Sequence, residues 1–141
     1  MEFTPENRKN VNEEAIVAIE EDGSDITFSI NGKGMPIEAY LQCQVNQASK
    51  IFTARFVKVQ KNLQRQGLGL KLFKEAIGYA RLHDLKFVTD HGLSLTADKL
   101  IQKLITEGFH FIKNEKAQER EGANGTRIVT FDGSPVYTLE D

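Results

Sequence analysis

The stretch Gln64-Arg65-Gln66-Gly67-Leu68-Gly69 lies between an apolar, β-branched run, IFTARFVKV, and a segment with helical spacing, LKLFKEAIGYA. Glycines at a helix entrance work against the helix, each by up to about 1 kcal/mol relative to alanine. They also let a ligand approach the backbone where a Cβ would collide with it. A strand that turns through glycines into a helix leaves several amide N–H groups without intrahelical partners, and the helix dipole adds partial positive charge there. Such an end favours phosphate. Gln64, Arg65 and Gln66 add side-chain donors, and Lys58, Lys61 and Lys71 add positive charge nearby. The segment lacks the GK[ST] ending of a P-loop and has two of the three glycines of a dinucleotide fingerprint. A tight strand-to-helix turn without a ligand is the alternative the same glycines allow.

The elements that would position this loop follow from periodicity. AIVAIEED and DITFSING read as strands joined by a short turn at Gly23, and GKGMP reads as a loop. EAYLQCQVN alternates Leu41, Cys43 and Val45 against Tyr40, Gln42 and Gln44, as a half-buried strand does, and IFTARFVKV is apolar enough for a central strand. Leu72, Phe73, Ala76, Ile77 and Ala80 predict a helix over about 68–82, and LKFVTD a short strand. TADKLIQKLITEG predicts a second helix, with Thr96 as its cap, Asp98 in its first turn, Gly108 at its stop, and Leu100, Ile101, Leu104 and Ile105 as its buried stripe. FHFI and PVYTLE read as closing strands, with the charged KNEKAQEREGANGTR between them as a mobile hairpin loop, and residues 1–12 as a polar, flexible tail. Strand–helix–strand over residues 51–90 implies a parallel crossover. The expected class is α+β: a mixed, mainly antiparallel central sheet of about six to seven strands, with that crossover and two main helices, in one domain over residues 1–141.

Composition narrows the function classes. A length of 141 residues suits one domain, and a net charge of −2 gives no global attraction to nucleic acid or a membrane surface. The lone Cys43 excludes an intramolecular disulfide and suits a reducing compartment. Three histidines without a cysteine cluster do not make a structural zinc site, so no metal is expected. MEFTPENRKNVNEEA lacks the apolar core of a signal peptide, and no segment is long and apolar enough to span a bilayer, so a cytoplasmic protein is expected.

VQKNLQRQGLG, from Val59 to Gly69, resembles the pyrophosphate loop of the GNAT N-acetyltransferases, a Q/R-x-x-G-x-G/A signature after the central strand. Gln64, Gly67 and Gly69 fill its fixed positions, and Leu63 supplies the apolar residue before them. LITEGFHFI resembles the family's helix that ends in a GF pair before the next strand, and the resemblance covers roughly residues 40–112. It implies acetyl-CoA or a related acyl-CoA as acyl donor, with the pyrophosphate on the amides of Gln64, Arg65, Gln66, Gly67, Leu68 and Gly69. It also implies that the backbone of Val57, Lys58 and Val59 pairs with the pantetheine arm, as an added strand would.

The family's asparagine and thiolate-protonating tyrosine fall, counting back from Gly108-Phe109, on Ala97 and Leu104, which lack hydrogen-bonding side chains. IFTARFVKV carries no glutamate to act as the amine's base, and the two N-terminal helices that shape the family's acceptor pocket have no counterpart in the pattern. A less covered site suits a bulky acceptor such as a protein amine, and a homodimer could supply the missing wall. The Val57 amide is a candidate donor to the thioester carbonyl. For proton transfer, His91 and the neighbouring Asp90 follow the LKFVTD strand where it should open toward the donor, and an imidazole can serve as acid or base; an exposed loop histidine is the plain alternative. Tyr40 and Tyr137 are candidate thiolate proton donors or simple strand residues, His110 is expected to face solvent, and Cys43 to be a small core residue.

Three function classes follow. The first is a small N-acyltransferase moving an acetyl group from acetyl-CoA to an amine, on a protein or a small molecule. The second is a non-catalytic domain of the same fold that binds CoA or a protein partner. A nucleic-acid binder using Lys58, Lys61, Arg65, Lys71 and Lys74 lacks interleaved aromatic residues and is disfavoured.

Overall fold

The computed structural model describes residues 16–31, 37–59, 67–123 and 125–140. The polar tail over residues 1–12, the GKGMP loop, and Lys61, Gln64, Arg65 and Gln66 lie outside the described residues.

Alternating apolar residues build four antiparallel strands in sequence, β1 (Val17–Asp22), β2 (Asp25–Asn31), β3 (Ile37–Asn46) and β4 (Ile51–Val59). Ile26, Phe28 and Ile30 of β2 and Leu41, Cys43 and Val45 of β3 turn one face inward. The chain then changes period into α1 (Leu68–Leu82), whose buried residues Leu68, Leu72, Phe73, Ala76, Ile77 and Ala80 recur at helical spacing and cover that face. β5 (Lys86–Thr89) returns parallel to β4, completing the crossover. β6 (Gly92–Ser94), α2 (Leu95–Thr106), β7 (Phe111–Lys113), β8 (Gln118–Gly122), β9 (Gly125–Val129) and β10 (Tyr137–Leu139) follow.

The main sheet has seven strands in the order β1-β2-β3-β4-β5-β10-β7, antiparallel except at β4–β5. This is the expected α+β class, with two helices among the described residues. A ring series runs beneath it from Phe28 through Phe52 and Phe87 to Phe111 and Tyr137, with Phe52 and Phe87 stacked at 5.5 Å. Tyr79 of α1 packs edge-on to Phe28, and its hydroxyl donates to Glu21 Oε1 at 2.6 Å, tying the helix to β1.

A second sheet, β6-β9-β8, corrects the expected mobile loop: KNEKAQEREGANGTR holds β8 and begins β9, an ordered hairpin that pairs with β6. Only Leu93 and Ile128 are buried from these strands, and β8 is exposed at all five positions, so period two has nothing to register there. Two details of α2 also differ from expectation. Its cap is Ser94, not Thr96; Ser94 leaves β6 extended and its Oγ accepts from the Ala97 amide at 3.2 Å. Its buried residues are Ala97, Ile101 and Leu104, while Leu100 is half-buried and Ile105 exposed, because the helix rotates Leu100 toward α1. The FHFI strand is shifted to Phe111–Lys113.

Candidate active site

β4 and β5 run together and then part. Their ladder covers Ile51–Ala54 against Lys86–Thr89, and the Asp90 amide adds one bond to the Ala54 carbonyl at 3.1 Å. Two devices end the pairing. On the β3 side Gln42 faces Phe56 while Cys43 faces Ala54, so Arg55 is the extra residue of a β-bulge. The bulge inverts the alternation: Phe52 and Ala54 are buried before it, Val57 and Val59 turn inward after it. On the β5 side the chain leaves the main sheet at Asp90 and enters β6 of the small one. The wedge so formed faces the N-terminus of α1.

Gly67 caps α1 with φ +77°, a left-handed conformation that suits glycine. Among the described residues no side chain caps this end, and its first turn carries no acidic residue, so the dipole's positive end is unopposed within the helix. Gly69 also serves packing. A Cβ there would meet Leu100 Cδ1 at 2.9 Å and Val59 Cγ2 at 3.7 Å, so this glycine lets α1 pack closely against α2 and β4.

These elements enclose a cleft of about 490 Å³ lined by Val57, Val59, Gly67–Leu70, Thr96, Lys99, Leu100 and Lys103. Its floor is aliphatic and its rim carries helix amides and two ammonium groups. Val57, Val59, Gly67, Leu68 and Gly69 therefore come together as expected, while Lys58 is exposed and absent from the lining. Lys99 and Lys103 were not anticipated. Their i, i+4 spacing on the face that also presents Leu100 is the signal that could have found them.

His91 and Asp90 line a second cleft, of about 730 Å³, with Gln44, Asn46, Thr53, Val88, Gly133 and Pro135. Thr53 alternates with buried Phe52 and Ala54, so this cleft opens on the sheet face opposite the helices. The Asp90 carboxylate accepts from the His91 backbone amide and approaches His91 Nδ1, both at 2.8 Å, while Arg55 Nε approaches its other oxygen at 3.4 Å. Asp90 thus orients an exposed imidazole and leaves Nε2 to the cleft. Arg55, supplied by the bulge, was also not anticipated. Its charge is no signal by itself, since Lys58 lies on the same strand.

The other candidates sit elsewhere. Tyr137 is buried; its hydroxyl donates to Asp98 Oδ1 at 2.6 Å and accepts from Gln102 Nε2 at 2.8 Å, and it lines neither cleft. Burial, together with the hydrogen bond to Asp98, pushes its phenol well up, which makes it a poor acid. Ala97 and Leu104 are core residues, as is Cys43, whose thiol burial pushes far up. His110 is exposed, and Tyr40 is half-buried beside Phe56. Among the described residues no group of three His, Cys, Asp or Glu could hold a metal ion, and no helix is long and apolar enough to cross a membrane.

No protein-family model matches the chain, and no curated protein matches it significantly in sequence. Solved structures match its fold. Nourseothricin acetyltransferase superposes with a TM-score of 0.58 at 12% identity, covering 97% of this chain and 94% of that one. A ribosomal-protein alanine N-acetyltransferase from Escherichia coli gives 0.56 at 15% identity, covering 96% and 92%. The IAA acetyltransferase from Bacillus cereus gives 0.53 at 19% identity, covering 74% and 75%. The chain has the fold of the GNAT N-acetyltransferases.

Proposed function

We propose that the protein transfers an acyl group, acetyl in the simplest case, from an acyl-CoA to an amine. The observation that carries this reading is the uncapped, acid-free N-terminus of α1 opening into a cleft whose far wall is the parted end of β4. Pyrophosphate suits the amides at Gly67–Gly69, with Lys99 and Lys103 supplying counter-charge, and the pantetheine arm suits the aliphatic floor along Val57–Val59. Gln64, Arg65 and Gln66 complete the loop in this reading. The acceptor approaches from the opposite face through the His91 cleft.

The chemistry is direct displacement. His91 Nε2 accepts a proton from the acceptor ammonium while Asp90 holds Nδ1. The freed amine attacks the thioester carbon, the C–S bond breaks as CoA leaves as thiolate, and the proton shed by the acylated nitrogen passes to that thiolate or to water. Positioning supplies much of the rate, and the Val57 amide is the candidate donor to the developing oxyanion. A protein amine is the favoured acceptor class, with a homodimer as one way to wall the site. A second reading, a non-catalytic domain that binds CoA or a partner, is favoured by one observation: Ala97 and Leu104 are committed to the core. Titration calorimetry with acetyl-CoA, followed by an acetylation screen over peptides and small amines, tests both. Failure to bind acetyl-CoA or CoA would overturn the donor site. Binding without acetylation across the screen would favour the second reading.

A further inference from the structure

In the β8–β9 ladder Arg120 stands directly opposite Arg127, and Ser94 of β6 continues the row. Directly opposed residues share a face of the sheet at close range, and like charges so placed are destabilising. Leu93 and Ile128 are buried on the other face, so this row points outward. Among the described residues neither arginine has a carboxylate within ion-pair distance. Glu119 and Glu121 flank Arg120 but alternate to the other face, and Lys116 faces Asp132 at 3.9 Å.

Both guanidinium groups are nevertheless held. A Cβ at Gly92 would meet Arg127 Nη2 at 3.2 Å, so the missing side chain lets that guanidinium lie against β6. Arg120 stacks over Phe131 at 4.9 Å from the ring centroid, and Phe131 is 68% exposed. The small sheet therefore presents two ordered, uncompensated cations beside an exposed ring. β8 is its edge strand, paired only with β9.

We propose that this face docks an extended acidic segment of a partner protein, with carboxylates on Arg120 and Arg127 and main-chain pairing along the β8 edge. A nucleic acid fits less well, because it offers no peptide main chain to pair with the open β8 edge. Gly92, against which the Arg127 guanidinium lies, directly follows His91, so a segment held on Arg127 would extend to the His91 cleft. That last step, which makes the segment part of the acceptor, rests on the acyl-transfer reading; the docking itself does not.

The test is fluorescence anisotropy of the full chain with a fluorescein-labelled peptide of alternating aspartate and alanine, beside the same peptide with asparagine. The aspartate peptide should bind at least about tenfold more tightly, with the advantage shrinking in high salt. The Arg120→Ala/Arg127→Ala variant should lose about tenfold in affinity, and Arg120→Lys/Arg127→Lys should retain most of it. Equal binding of the two peptides would overturn the proposal, as would unchanged binding by a folded double-alanine variant. Tighter binding of a single-stranded oligonucleotide of equal charge would also overturn it. Acetyl-CoA binding is measured on the same samples: its absence while the aspartate preference holds would remove the acyl-transfer reading and leave the docking face standing.

Discussion

Replacing Gly69 with alanine should separate binding from stability, because the two glycines at the head of α1 do different work. The added methyl would sit 2.9 Å from Leu100 Cδ1 and 3.4 Å from Cδ2, with Val59 Cγ2 at 3.7 Å. Leu100 carries the closest atoms at the free end of a half-buried side chain, so it yields by turning, and the cleft it lines is the open space available to it. Overpacking costs roughly 1–3 kcal/mol, and the lower end applies where a flexible side chain gives way. The gain in helix propensity, up to about 1 kcal/mol, offsets much of that. Net stability should change by about 1 kcal/mol or less, a shift of a few degrees in Tm for a domain of this size. Acetyl-CoA affinity should fall by about tenfold, or about 1.4 kcal/mol, as the Leu100 methyl groups enter the cleft. Calorimetry and thermal unfolding on the same preparation measure both. Adding Leu100→Ala should restore affinity in the double variant, since the clash disappears, giving a clear coupling in the mutant cycle. Native affinity in Gly69→Ala with an unchanged Tm would refute the reasoning.

Gly67→Glu should abolish acetyl-CoA binding, since a carboxylate at the helix N-terminus repels pyrophosphate, and its φ of +77° should also lower stability by about 1–2 kcal/mol for any L-residue. Calorimetry on the folded fraction decides. Lys99→Ala and Lys103→Ala should each weaken binding by about tenfold or less, with smaller losses in high salt; an effect indifferent to salt would count against their electrostatic role. If acyl transfer is found, His91→Ala should remove one limb from the pH–rate profile and cost on the order of 10²–10⁴ in rate, whereas superimposable profiles would return His91 to a structural role. Burial, with the hydrogen bond to Glu21 second, raises the Tyr79 phenol to about 12 from 10.0. The folded state therefore holds this proton more tightly, so the contribution is complete below pH 10 and lost as pH rises toward 12. Alkaline unfolding followed by circular dichroism should be shallower in Tyr79→Phe over that window.

The strand Ile51–Val59 and the helix Leu68–Leu82 were legible because their signals are local and agree: a β-branched apolar run, then a helical stripe. Arg55 was not, because a bulge is defined by pairing with β3, and nothing in IFTARFVKV marks which residue the ladder will skip. The β8–β9 hairpin hid behind its charge, since strands exposed on their accessible faces lose the alternation that betrays a core-facing strand. Ser94 and Thr96 are both good caps, and β6 decides between them by delivering Ser94 in an extended conformation. Lys99 and Lys103 read as a solvated helix face until α2 is set beside α1. For Arg55, Lys99 and Lys103 the missing information was the identity of a neighbour distant in sequence.

The stacked pair Phe52 and Phe87 joins β4 to β5 just below the point where they part. Those rings belong to a series that continues to Phe28 on one side and Phe111 on the other, so the two halves of the main sheet share one seam at the base of the wedge. The opening is thereby clamped at one end, while past Ala54 β4 keeps only its pairing with β3. Thermal motion there should grow along β4 from Phe52 toward Lys58, a stiffness gradient that hydrogen exchange would resolve amide by amide. A long, thin molecule can be admitted by flexing only the free end, without straining the core that keeps the domain folded.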